Sequence, residues 1–215
     1  MKKSIIIISA IILTTFFTGC ASKEKPPRVR DETFIADISP FEAGTFHLYA
    51  SFGLTKPKIC DFTATFYPRS NMIYVKGRVG MDIVQIGFSM SERNSLAAAK
   101  DQYIELYTSG GIKNEKPTKK NAISTGIVPF NWGALGAGYQ ADVKYYTNVE
   151  YILENKPYFR IQFEATKGKG ADENFSSPRT NIYISPAQWE QIVEACSQER
   201  LVAMTDEILA EAQAF

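Results

Sequence analysis

The segment ADVKYYTNVEYILENKPYFRIQFEA, residues 141–165, decides the fold expected for this chain. Apolar and polar residues alternate on both sides of Glu154-Asn155-Lys156-Pro157, a cluster of turn-forming residues. Alternation with a period of two is the pattern of a half-buried β-strand, because successive side chains of a strand point to opposite faces. The segment therefore predicts an antiparallel hairpin with strands over 141–153 and 158–165.

The same alternation recurs on both sides of this hairpin. It predicts further strands over 46–52, 59–67, 73–79, 83–89, 123–130 and 180–184. Helix signals follow the fourth and the eighth strand: Ser91 with Glu92 in the first turn, and Ser185 with Pro186. The apolar stripe of the second helix shifts after Cys196, which predicts a bend or a projecting helical tail there.

This order of elements predicts an α+β fold of two ββββα repeats, with mostly antiparallel sheets and two packed helices. The expected organisation is a signal peptide over 1–19, a lipidated tether over 20–44, a first repeat over 45–111 and a second over 112–215 with an extended C-terminal helix. The two repeats would form one intertwined globular body.

The N-terminus has the pattern of an export signal. Met1-Lys2-Lys3 is positively charged, and the apolar run from Ile5 to Phe17 is shorter than the roughly 20 residues of a membrane span. Its end, Phe17-Thr18-Gly19-Cys20, resembles the bacterial lipobox, in which the cysteine is diacylated and becomes the mature N-terminus. The resemblance implies a lipoprotein with a covalent lipid, palmitate included, on Cys20. No aspartate follows the cysteine, since the next residues are Ala21-Ser22. The resemblance therefore further implies attachment to the outer membrane, with the body facing the periplasm.

The amino-acid composition limits the kinds of partner and of functional site that the chain can have. The chain has 24 basic and 23 acidic residues, which argues against a strongly electrostatic partner such as duplex DNA. It has one histidine, His47, so every metal site that needs two histidines is excluded. We find no motif of an active site and expect no enzyme activity, no metal and no cofactor beyond the lipid on Cys20.

Two pairs of segments resemble the PUR repeat of Pur-alpha-like proteins and the related Whirly fold. They are Gln85–Ser91 with 103–107 in the first half, and 154–161 with 181–188 in the second. The resemblance covers residues 46–205 and implies ββββα units used in pairs. It also implies the binding of single-stranded nucleic acid, which we keep as the alternative function.

Tyrosines interleaved with cations mark a candidate binding face on the outward sides of the predicted strands, because such pairs stack on rings and pair with anions. The residues of this face are Tyr74, Lys76, Arg78, Lys144, Tyr146, Tyr158 and Arg160. The alternative interpretation is an ordinary solvated sheet face.

Cys60 lies on the same side of its predicted strand as the apolar Phe62 and Phe66, and Cys196 continues the apolar stripe of the second predicted helix. In an oxidising compartment they could form a disulfide, and the alternative is two separate buried thiols.

The expected function is that of a membrane-anchored lipoprotein of the cell envelope. It would act as a non-catalytic binding or assembly module for an envelope protein, through a sheet face or the C-terminal helix. The sequence does not determine the partner or the oligomeric state.

Overall fold

The protein, analysed as a computed structural model, is described over residues 33–134 and 138–214. The predicted signal peptide, Cys20 and the first part of the tether lie outside these residues. The strands are β1 (Phe41–Phe52), β2 (Lys58–Tyr67), β3 (Met72–Val79), β4 (Asp82–Phe88), β5 (Thr125–Gly133), β6 (Tyr139–Ile152), β7 (Lys156–Phe163) and β8 (Thr180–Ile184). The helices are α1 (Met90–Thr108), α2 (Pro186–Cys196) and α3 (Gln198–Gln213).

The eight strands form one closed antiparallel barrel in chain order. The two halves of the chain are joined where β4 pairs with β5, for example Ile86 with Phe130. The ring closes where β1 pairs with β8, for example Ala50 with Ile182. The predicted α+β fold of two ββββα repeats is therefore wrong: the chain is a mostly β protein, and a single barrel replaces the paired PUR-type repeats that the resemblance implied.

The barrel interior is filled by side chains. On every strand one parity points inward, and cross-strand partners such as Phe62 with Gly77, or Phe130 with Ala141, lie on this face. Phe62, Phe130, Phe159 and Phe163 are fully buried. Small residues next to large ones let the rings interdigitate, because a barrel of this size has room for side chains and little else.

One end of the barrel, the helix end, carries α1 and α2. Tyr103 of α1 is fully buried, and its ring centroid lies 5.6 Å from that of Phe159 in the barrel interior. Its hydroxyl donates a hydrogen bond to the carbonyl of Pro157 at 2.9 Å. Trp189 of α2 meets the same Phe159 ring at 5.2 Å. The two helices thus bury aromatic rings against the strands at this end.

The other end, the turn end, carries the connections β1–β2, β3–β4, β5–β6 and β7–β8. This follows from the antiparallel order, since alternate connections of an up-and-down barrel lie at the same end. The β7–β8 loop packs here through Phe175, whose ring stacks on Tyr139 at 4.3 Å.

Several predicted boundaries need correction. β1 begins at Phe41, so residues 41–44 belong to the barrel and not to the tether. The N-cap of α1 is Ser89, whose side chain accepts from the backbone N–H of Glu92, rather than Ser91. The predicted bend after Cys196 is confirmed as a break at Ser197, whose extended backbone separates α2 from α3.

Candidate functional site

The structure divides the predicted binding face between two sides of the barrel. Tyr74, Lys76 and Arg78 lie on β3, whereas the other four residues lie on β6 and β7. In the ring of eight strands, β3 and β7 are four positions apart and therefore lie on opposite sides. The seven residues do not form one face, which corrects the grouping made from the sequence.

On the β3 side, Tyr74 has a packing role. Its ring lies 4.9 Å from that of Tyr67 and covers Gly87 of β4. A Cβ atom added at Gly87 would lie only 2.8 Å from Cε1 of Tyr74. Lys76 and Arg78 are exposed beside this packed ring. This side therefore offers two solvated cations and no free aromatic face between them.

The opposite side carries a continuous set of outward side chains, which we call the polar layer. It consists of Tyr49 and Ser51 of β1, Tyr146, Asn148 and Glu150 of β6, Tyr158, Arg160 and Gln162 of β7, and Asn181 and Tyr183 of β8. Seven of the ten are at most 8% exposed, although they project from the outside of the barrel. Lys144 lies beside the layer on β6 and is exposed.

Arg160 lies at the centre of the polar layer. Its Nη1 donates to Oε2 of Glu150 at 2.8 Å, and its Nη2 donates to Oδ1 of Asn148 at 3.3 Å. Its Cζ atom lies 5.8 Å from the ring centroid of Tyr146, a cation–π contact. The guanidinium is thereby held between these three side chains, and its charge is balanced by Glu150.

Asn148 ties the polar layer to the segment that precedes β5. Its Nδ2 donates to the carbonyl oxygens of Thr118 and Asn121, at 3.1 and 3.0 Å. In the same segment, Lys119 forms an ion pair with Glu164. This edge of the layer is consequently fixed by hydrogen bonds to neighbouring backbone.

The barrel-closing pair of strands supplies the other edge. Nδ2 of Asn181 donates to Oγ of Ser51 across the β1–β8 pair at 3.0 Å. The rings of Tyr49 and Tyr158 meet edge to face at 5.9 Å over this region. Burial raises the pKa of Tyr158 and that of Tyr183, so both phenols stay protonated at neutral pH and can donate or accept hydrogen bonds.

Two atoms of the polar layer have no hydrogen-bond partner among the described residues: Nε of Arg160, a donor, and Oδ1 of Asn181, an acceptor. Both are buried, and a buried polar atom without a partner is costly. Neither atom is in contact with solvent, so the surface of the layer instead presents tyrosine side chains around an arginine whose charge is already balanced. This combination suits an uncharged polar group better than a phosphate.

Sequence reasoning found Tyr146, Tyr158 and Arg160 of this layer but missed Tyr49, Tyr183, the amides, the serine and Glu150. All of them lie on the outward parity of strands that the alternation had identified. A search along that parity for any polar side chain, and not only for tyrosines and cations, would have found them.

Cys60 and Cys196 are free thiols in the structure. It therefore contains the two separate thiols of the alternative interpretation and not the disulfide. Burial raises the pKa of both thiols. The pKa of Cys196 rises to about 12, although the nearby charge of Arg93 opposes this shift. Neither thiol is therefore a thiolate at neutral pH, and neither has the character of a nucleophile.

Within the described residues, no group of three or more His, Cys, Asp or Glu side chains could hold a metal ion. His47 is exposed on the outer face of β1, with Nδ1 2.6 Å from Oδ1 of Asp61. No helix between residues 33 and 214, leaving aside 135–137, has the length and apolarity to cross a bilayer.

Comparison with known proteins places the chain in a family. The profile of a family described as "Uncharacterised Treponema protein" matches residues 8–203, which include the whole barrel. The chain belongs to this family. It is similar to an "Uncharacterized protein" of Treponema pallidum (strain Nichols), with 24% identity over 209 residues that cover 97% of this chain and 73% of the relative. No solved structure matches.

Loss of the Arg160 side chain should destabilise the fold. We expect Arg160→Ala to lower the free energy of unfolding by about 1–3 kcal/mol, because it leaves Glu150 and Asn148 without their buried partner. Lys144→Ala, which removes an exposed cation from the same side, should change it by less than about 0.5 kcal/mol. Denaturant unfolding followed by circular dichroism measures both, and equal midpoints for the two variants would contradict the role assigned to Arg160.

Proposed function

We propose that this protein is a lipid-anchored, non-catalytic binding module of the bacterial cell envelope. It is held in the outer membrane through acyl chains on Cys20, with its body in the periplasm. The polar layer binds an envelope protein. The single observation that carries the binding role is the polar layer itself, in which tyrosines surround a charge-balanced arginine on one side of the barrel.

The anchor is supported by the sequence. A positive N-terminus, a short apolar run and Gly19-Cys20 stand in the order of a lipoprotein signal. The polar stretch that follows, with Pro26-Pro27, is suited to a tether. Two acyl chains bury enough methylene groups to anchor a protein stably, whereas one chain does so only marginally.

A protein partner fits the polar layer for reasons of hydrogen bonding and charge. The half-buried phenols of Tyr49 and Tyr158 can each donate and accept hydrogen bonds, which complements the donor and the acceptor of a peptide group. Tyrosine and arginine are also the residue types enriched at protein interfaces. The sequence also pointed to the C-terminal helix. In α3, Leu201 and Thr205 are fully buried, and its exposed side chains are alanines and charged or amide groups without an aromatic ring among them.

Single-stranded nucleic acid, the alternative ligand, is less well supported. Its binding depends on cations that neutralise phosphates along a track. Here Arg160 is neutralised by Glu150 at 2.8 Å, and Lys76 and Arg78 lie on the opposite side of the barrel. The cations therefore do not line one groove.

Acylation at Cys20 can be tested by metabolic labelling with a clickable palmitate analogue in a bacterial host. We expect the full-length chain to be labelled and to fractionate with membranes, and Cys20→Ser to lose both properties. The matched control is Cys60→Ser, which removes a free thiol of the barrel and should keep the label. Labelling that persists in Cys20→Ser would exclude the proposed anchor.

The binding surface can be tested with a photo-crosslinking amino acid in intact cells. We place it at Tyr158 in the polar layer and, as a control, at Tyr74, which is also half-buried but lies on the opposite side of the barrel. The expected result is an adduct of defined mass from position 158 that is absent from position 74. The proposal fails if neither position gives an adduct, or if both give the same ones.

A further inference from the structure

The turn end of the barrel carries large apolar side chains at the positions where turns normally hold polar residues. Leu54, in the β1–β2 turn, is 100% exposed, and Met81, in the β3–β4 turn, is 84% exposed. Each directly follows a glycine with positive φ, Gly53 at 59° and Gly80 at 70°. Glycine, asparagine, aspartate and serine are the usual residues of such turns, so a leucine and a methionine at their tips call for an explanation.

Two further apolar side chains lie at the same end. Phe175 of the β7–β8 loop is 48% exposed, and its inner face stacks on Tyr139. Ile59, near the start of β2, is 61% exposed. The β7–β8 loop and the β1–β2 turn are joined, since the backbone N–H of Gly53 donates to the carbonyl of Arg179 at 2.7 Å. We call Leu54, Ile59, Met81 and Phe175 the apolar rim.

Basic residues surround the apolar rim. Among the described residues of the four connections, with the two strand residues on either side of each, six are basic and four are acidic, giving a net charge of +2. The basic residues are Lys56, Lys58, Arg78, Lys167, Lys169 and Arg179, and the acidic ones are Asp82, Glu164, Asp172 and Glu173. Glu164 is paired with Lys119, and Lys169 is paired with Asp142, so one charge of each sign in this set is already balanced and the excess of basic residues is unchanged.

We infer that the turn end is a membrane-contact surface, which inserts the apolar rim into the interfacial region of a bilayer that carries anionic headgroups. A lipid surface fits better than a protein here, for two reasons. Leu54, Met81 and Phe175 stand on three separate connections and do not line a groove. Lysine is depleted in protein interfaces but favoured where long basic side chains reach phosphate headgroups.

This inference goes beyond the proposed function, because an acyl anchor holds a chain at a bilayer without any contact from its folded body. The tether allows the contact. Ile35 and Ala36 are buried, and the backbone N–H of Ile35 donates to the carbonyl of Pro68 at 2.9 Å, so the free tether ends near Phe34. The stretch 21–34 has 14 residues and reaches roughly 46 Å when fully extended. The longest strand, β6, has 14 residues. Because strands of a closed barrel tilt by about 40°, β6 rises roughly 35 Å along the barrel axis, and the extended tether can pass along it.

The experiment is flotation of the unlipidated chain, residues 21–215, with vesicles of phosphatidylcholine mixed with phosphatidylglycerol, or of phosphatidylcholine alone. This chain contains every described strand and helix. We expect it to float with the anionic vesicles. Leu54→Ser combined with Met81→Ser should lower the partition coefficient by at least about tenfold, because both side chains lose their apolar contact. Lys56→Glu combined with Lys58→Glu should remove the preference for anionic vesicles.

The matched control is Leu153→Ser, which changes a 40% exposed leucine in a turn at the helix end and should leave partitioning unchanged within about twofold. A second readout is independent of these losses: in Met81→Trp, emission of the new indole should be quenched by lipids that carry a spin label near the headgroup. Equal partitioning of the rim variant and the parent chain, or no flotation of the parent chain, would overturn the inference. Because the unlipidated chain is used, this result is separate from the labelling of Cys20.

Discussion

The pairing of β1 with β8 is the interaction on which the rest of the structure depends. It joins the first strand to the last, Tyr49 to Tyr183 and Phe52 to Thr180, and it converts a row of strands into a ring without edges. An open sheet would leave unpaired N–H and C=O groups on both of these strands. Closure also sets the shape of the interior, so that one parity of every strand meets the same core.

Both candidate surfaces follow from closure. The polar layer spans the closing seam, since Ser51 and Asn181 are bonded across it and Arg160 lies on the next strand. The apolar rim follows from the up-and-down order of the closed ring, which gathers four connections at one end and leaves the helices to cover the other. A barrel with one polar side and one apolar, basic end can hold a partner and a lipid surface at the same time, because the two surfaces face different directions.

The strands were predictable from the sequence, and the way they come together was not. The alternation that identifies β6 and β7 is local, whereas the β1–β8 pair joins Ser51 and Asn181, 130 positions apart, with no local pattern to mark it. For the same reason the predicted face included Tyr74, which packs over Gly87 on the far side of the barrel. Arg160, Tyr146 and Tyr158 were found because they combine charge and aromaticity on the outward parity. The amides beside them carry no such signal, and only their burial in the fold distinguishes them.

Cross-linking of the closing seam tests this account most directly. With Ser51→Cys and Asn181→Cys, which are direct cross-strand partners, refolding in a glutathione buffer should give a disulfide between positions 51 and 181, identified by mass spectrometry of proteolytic peptides. In the control, Ser51→Cys with Gln162→Cys, the second cysteine lies one strand further away, at about 9–10 Å, and no disulfide should form. A link between 51 and 162, or none between 51 and 181 in folded protein, would contradict a barrel closed by β1 and β8.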